Sequence, residues 1–300
     1  LNLRGGTIGD SFTATGLGNV INIRSGIVGN DFEAQLSTVN VFGASIGDNF
    51  RATRDSSVQF SGGSFGDGVV IDDTLTILGD DFRLNGVPIV GLDNVGDFVS
   101  LDLTAPYALT GTFQDGTPFA FSWYDGENII ADSITLRVRN LPAMGPANIS
   151  VPADAPPRGI RQGQTITVDT GGTVGDNFNA GHGSTVIVNG GDIGSNLEAV
   201  DADVTIVSGS IGEGLDALGG TVVNVQGGTI GQDIQIINGS ELNLSGGEVG
   251  GPGPSFGEGV TARVNSTVNV SGGILHRGLR LEEGSTAVIS VAEIRSRSPI

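Results

Sequence analysis

An acidic or amide residue recurs at one place along the chain. Asp10, Asn30, Asp48, Asp67, Asp176 and Glu213 each follow a glycine that itself follows an apolar residue. Stacked one above another, such residues form a ladder of like charges about 5 Å apart, which repels itself unless screened, protonated or bridged by a cation. Bridging would make Asp10, Asp48, Asp67, Asp176 and Glu213 ligands of Ca2+, the one cofactor the sequence suggests. The plainer reading is a solvated acidic edge that keeps the stack soluble.

Other residue types that perform chemistry are sparse. The chain has no cysteine, its 14 basic residues are all arginine, and its only histidines are His182 and His276. Thiolate metal sites, disulfides, cysteine nucleophiles and lysine bases are therefore excluded, and the redox compartment stays open. His182 lies in the turn Gly181-His182-Gly183 and reads as a surface residue. His276 with Arg277 and Arg280 reads either as a small basic site or as a worn terminal repeat. The paired acids Asp72-Asp73 and Asp80-Asp81 could perform acid/base work, but neighbours in a strand point to opposite faces. The glycine-rich corners mimic phosphate loops without the helix or lysine that those need. Sequons at Asn148, Asn238, Asn243, Asn265 and Asn269 arise from the strand-turn pattern and argue little for glycosylation. The expectation is that the protein is not an enzyme.

The elements that position these residues come from a repeat. The central glycines stand at 9, 29, 47 and 66, then at 175, 194, 212, 231 and 250, a spacing of 18 to 20 residues. A fixed period of that size means a solenoid. Each unit opens with an alternating segment such as Val39-Asn40-Val41 or Leu242-Asn243-Leu244, a strand with one buried face. A small pair, Gly5-Gly6 or Gly171-Gly172, lets the chain turn before the apolar-Gly-acidic corner. Three places after the corner glycine stands an apolar residue: Phe12, Phe32, Phe50, Phe178, Leu197, Leu215 and Ile234, expected as an inward core ladder. The predicted fold is all-β, a single-chain parallel β-helix with 18–20 residues per coil and right-handed winding favoured, interrupted by a small antiparallel β module.

Three parts follow: coils over 1–79, a connector or capping insert over 80–157, and coils over 158–300. The insert holds eight of the eleven prolines, the only Trp and both Tyr. Gln114-Asp115-Gly116-Thr117 supplies a hairpin turn into Pro118-Phe119-Ala120-Phe121-Ser122-Trp123, and a proline-rich run from Leu141 to Pro157 reads as a linker. The insert either caps an open solenoid end or is a contact domain. In the second case Phe119, Phe121, Trp123 and Tyr124 dock onto a neighbouring subunit or a glycan.

The repeats over roughly 1–79 and 160–300 resemble bacterial β-helical surface proteins of the filamentous-haemagglutinin and autotransporter-passenger kind, on periodicity alone. Gly5 to Thr13 also resembles the nonapeptide of RTX calcium β-rolls, departing from it at Ile8, where that motif has glycine. The first resemblance implies an extracellular or cell-surface adhesin. The chain opens at Leu1-Asn2-Leu3-Arg4-Gly5-Gly6, the counterpart of Leu242 to Gly247, and is expected to start inside a coil as a mature product or a segment of a longer chain. A net charge of -19 disfavours nucleic acid and anionic membranes as partners, and no apolar run is long enough for a membrane helix. The expected function is a structural or adhesive subunit of a surface fibre, whose partner is itself, stacked head to tail, and in addition a glycan or host surface. The alternative is a carbohydrate-active or glycan-binding β-helix protein.

Overall fold

The computed structural model describes residues 1–103, 107–123, 130–251, 259–282 and 284–290. It is a parallel β-solenoid with no helix among the described residues. The chain forms two compact units. The first holds Leu1–Asn148, Pro157–Gln164 and Gly175–Ser184, and the second Ile149–Pro156, Thr165–Val174 and Thr185–Ile300. Residues 80–148 fall in the first unit together with the first coils.

In the first unit β1 (Asn2–Ile8), β2 (Thr13–Val28), β3 (Glu33–Ile46), β4 (Arg51–Thr53), β5 (Ser57–Phe65) and β6 (Val70–Leu84) stack in parallel, in register with the repeat. Asn2 pairs with Asn22 and Asn22 with Asn40, so one coil step is one repeat. Period-two alternation turns Ile21, Ile23, Val39, Val41, Val58, Phe60, Leu75 and Ile77 inward, each at most 1% exposed. The asparagines face outward and join side chain to side chain: Asn22 Nδ2 donates to Asn2 Oδ1 at 2.9 Å, and Asn40 Nδ2 to Asn22 Oδ1 at 3.0 Å.

Among the described residues the corners carry a residue at positive φ two places after the glycine: Ser11, Asp31, Asn49, Gly68 and Asn177, and in the second unit Asn196, Gly214 and Asp233. Short polar residues and glycine tolerate that region best, so this position rarely carries anything larger.

The repeat lapses after β6 for a structural reason. Leu78-Gly79-Asp80-Asp81-Phe82 copies the corner's letters, with Asp81 at φ 52, but it stays inside β6, whose ladder steps seventeen residues from Phe60 to Ile77. On it lies the antiparallel hairpin of β9 (Tyr107–Phe113) and β10 (Pro118–Trp123), with Phe113 N–H bonded to Thr117 O across the expected turn. Between these, β7 (Val87–Pro88) and β8 (Phe98–Leu101) are short, and β11 (Ile130–Val138) returns to pair with β6 in parallel and with β8 antiparallel. The hairpin aromatics are not a docking face. Phe119 and Phe121 are each 3% exposed, and Phe113 is fully buried. They continue the ring stack of the coils, with Phe121 lying 5.8 Å from Phe65 and 6.1 Å from Phe60. Apolar burial takes these rings in because the last coil would otherwise expose its core. Trp123 packs half-buried against the same core, edge-on to Tyr107 at 6.2 Å, and Tyr124 lies outside the described residues. Burial pushes the Tyr107 pKa up to about 12.

In the second unit one parallel sheet runs through Thr165–Asp169, Thr185–Ile193, Asp203–Ile211, Val222–Val225, Glu241–Leu244, Thr267–Val270 and Thr286–Ile289. A second runs through Glu198–Val200, Asp216–Leu218, Ile234–Ile237, Val260–Arg263 and Leu279–Leu281. An amide column recurs, with Asn243 Nδ2 donating to Asn224 Oδ1 and Asn269 Nδ2 to Asn243 Oδ1.

A second polar column lies inside. Ser240 Oγ, fully buried, donates to Ile237 O at 2.8 Å and accepts from Gly220 N at 3.2 Å in the preceding coil. Thr221 and Ser266 repeat the inward bond, to Leu218 O and Arg263 O, and Ser56 makes it to Thr53 O in the first unit. Ser240→Ala leaves the Gly220 N–H without that acceptor and is expected to cost about 1–3 kcal/mol. The exposed Ser208→Ala is expected to stay within about 0.5 kcal/mol. Urea unfolding of the two variants beside the parent checks both.

Candidate functional site

The corner column has a consistent geometry. Asn30 N donates to Asp10 Oδ1 at 2.9 Å, Asp48 N to Asn30 Oδ1 at 2.9 Å, and Asp67 N to Asp48 Oδ1 at 3.1 Å. Each side chain therefore caps the backbone amide of the corresponding residue one coil on, an acceptor role that Asp and Asn share and that a carboxylate performs more strongly. That role explains why Asp and Asn interchange here. It also sets Asn30 between Asp10 and Asp48, so those two carboxylates never sit in adjacent coils. Asp176 lies in the Gly175–Ser184 segment of the first unit, and Glu213 is in the second unit. Among the described residues no group of three or more His, Cys, Asp or Glu side chains is placed to hold a metal ion.

The backbone at several corners leaves no room above the glycine. A Cβ on Gly29, Gly47 or Gly66 would overlap Asp10, Asn30 or Asp48 Oδ1 and come within 2.8 to 3.0 Å of that residue's own nitrogen. Gly212 and Gly231 meet Ser195 N and Glu213 N at 2.7 Å in the same way. Gly9 and Gly175 differ: nothing stands within 4 Å of either Cβ position.

The core residues of the first coil are less covered than those of the coils that follow. Leu3, Ile8, Phe12 and Ala14 are half-buried, whereas their partners one coil on, Ile23, Val28, Phe32 and Ala34, are at most 1% exposed. Of the expected ladder, Phe32, Phe50, Phe178, Leu197, Leu215 and Ile234 are at most 2% exposed, and Phe12 alone keeps one side open. Its other side stacks on Phe32, with ring centres 5.4 Å apart.

At the other end of the described chain, in the second unit, Ile274, Leu281, Val288 and Ile289 are 42–55% exposed. The corner there has changed character. Leu275 pairs with Val249, which sets His276 in the place of Gly250 and Arg277 in the place of Gly251. His276 Nε2 lies 3.2 Å from Glu248 Oε2, Arg277 Nε donates to Gly251 O at 3.3 Å, and Glu282 is held by Arg263 and Arg280. The cationic side chains suspected of forming a basic site are thus interleaved with acids.

One carboxylate stands apart. Asp115 in the hairpin turn accepts Gly63 N–H at 3.0 Å and Thr117 N–H at 2.9 Å, tying the hairpin to the small pair of the last regular coil. Desolvation by the atoms crowded around its carboxyl raises its pKa above the ordinary carboxylate value, and the bonds from Thr117 and Gly63 and the charge of Arg158 pull it back. Sequence reading marked this residue only as a turn former.

No family model, no curated protein and no solved structure matches the chain.

Proposed function

We propose that the protein is a structural or adhesive β-solenoid subunit of the cell surface, which builds a fibre by stacking coil upon coil with further copies. The observation that carries this reading is the regularity of the stack: each coil joins the next through parallel ladders, an outward amide column and a corner side chain that caps the amide one coil on. A unit joined only to its neighbours by repeated contacts suits an extended structural element.

Electron microscopy of the untagged chain, with and without chelator, tests the proposal. Fibres with an axial repeat set by the coil stack support it, and fibres that dissolve on chelation would add Ca2+ at the acidic corner. A chain that stays monomeric at every concentration sinks it. The glycan-binding reading keeps one motivating feature, the His276–Glu248 pair beside Arg277 and Arg280. Polysaccharide binding that disappears in His276→Ala would favour it.

A further inference from the structure

We infer that β8 is a stop strand: it closes the edge of β11, so that no further coil, of this chain or of another copy, adds there. Whatever surfaces copies stack through, the β11 edge is not one of them.

The strands of the first unit stack by one rule, each in parallel with its counterpart in the neighbouring coil. β11 still obeys it on β6, with Thr135 beside Thr76 and Leu136 beside Ile77. β8 breaks it. It lies on β11 antiparallel, Ser100 opposite Thr135 and Val99 opposite Leu136, and it ends that path of the sheet among the described residues. A reversed strand cannot hand the repeat onward, because its corner would fall at the wrong end of the ladder. The sequence agrees: Asp102-Leu103 follows β8 where a regular coil has its small pair and glycine corner. The outward column runs out at the same place. From Asn40 it passes through Gln59, Thr76 and Thr135 to Ser100, where it ends on a hydroxyl contact, Ser100 Oγ to Thr135 Oγ1 at 3.1 Å.

β8 is fastened to the edge that it covers. Val138 N donates to Asp97 O at 2.9 Å, and Gly96 N donates to Val138 O at 3.1 Å. The Asp97 carboxylate holds the turn before the strand by accepting Asn94 N–H at 2.7 Å and Asp93 N–H at 3.1 Å. The Arg137 guanidinium lies over the Phe98 ring, 5.5 Å from its centre. Leu92, Leu101 and Leu103 pack partly buried against the core, and Ile134 and Leu136 of β11 are fully buried. The outer edge of β8 is itself a poor template, since it offers four residues bounded by Asp97 and Asp102.

The test is sedimentation of the full chain over a wide concentration range, for the parent, Val99→Pro and Leu101→Ser. Proline opposite Leu136 lacks the N–H and the fit that a ladder position needs, so it should lift β8 and let the chain associate at concentrations about 10-fold lower than the parent. Leu101→Ser removes an anchor of β8 without touching its backbone. It should act in the same direction more weakly, and it carries the test where the proline chain fails to fold. A synthetic peptide spanning Gly96 to Leu103 should reverse the new association by pairing with the freed edge. Variants that associate no more readily than the parent, or association that the peptide leaves unchanged, overturn the stop strand. A parent that never associates beside a variant that does overturns the fibre reading and supports the stop strand.

Discussion

Gly47→Ala is expected to cost about 3 kcal/mol or more in stability, while the same change at Gly9 costs less than about 0.5 kcal/mol in dilute solution. The two glycines occupy the same place in the repeat, and neither has the positive φ that would strain an alanine. They differ only in what lies against them. A Cβ on Gly47 overlaps Asn30 Oδ1 and stands 2.9 Å from both Asn30 N and Gly29 C. A side-chain oxygen could swing aside, but only by abandoning the Asp48 amide that it caps. The backbone atoms cannot move without spreading the coils, which would loosen the ladder bonds on either side. Overpacking against rigid backbone is the costly kind, because no rotamer change relieves it. Denaturant unfolding of the pair decides the matter: equal costs would mean that the corner glycine serves backbone conformation rather than clearance between coils.

That contrast also marks how far the sequence could be read. The period, the alternating strands and the small residues at the corner were legible because each follows from a local rule applied many times. The positive-φ position after Asp10, Asn30 and Asp48 could have been found as well, since Ser11, Asp31 and Asn49 are the side chains that tolerate it. The role of the acidic corner was not legible. A carboxylate that caps an amide one coil on and a carboxylate that awaits a cation have the same sequence, and only the register of stacking separates them. The hairpin turn at Gln114–Thr117 was visible, yet the direction its aromatics face was not, because alternation gives two faces and does not name the buried one. Leu78-Gly79-Asp80-Asp81-Phe82 copies the corner's letters, yet it falls inside β6 and not at a corner, which only the pairing of Phe60 with Ile77 reveals. Long-range pairing explains the rest. β11 has no corner motif of its own, and its membership of the solenoid rests on its parallel register with β6, more than fifty residues earlier.

Phe50→Ala is expected to cost about 3–5 kcal/mol, and Phe12→Ala only about 1–2 kcal/mol. Phe50 is fully buried and stacks on Phe32 with ring centres 5.0 Å apart and planes 2° from parallel. On its other side it meets Phe60 and Phe65 edge-on, at 5.7 and 6.5 Å. Removing the ring opens a cavity that its neighbours can fill only by leaving their own stacks, so transfer and cavity costs add. Phe12 has a single ring neighbour and is already half in water, so its truncation loses less and leaves no enclosed void. In a solenoid each coil is stabilised through its immediate neighbours, which makes the cost depend on how many of them a position has. A double-mutant cycle over Phe32 and Phe50 should return a coupling of about 0.5–1.5 kcal/mol, the contribution of the stacked pair beyond its buried area. The aromatic chain continues through Phe65 and Phe121 into the hairpin, so Phe121→Ala should lower the same cooperative transition rather than melt a separate module. Two resolved transitions in that variant would show instead that the hairpin folds apart from the coils it covers.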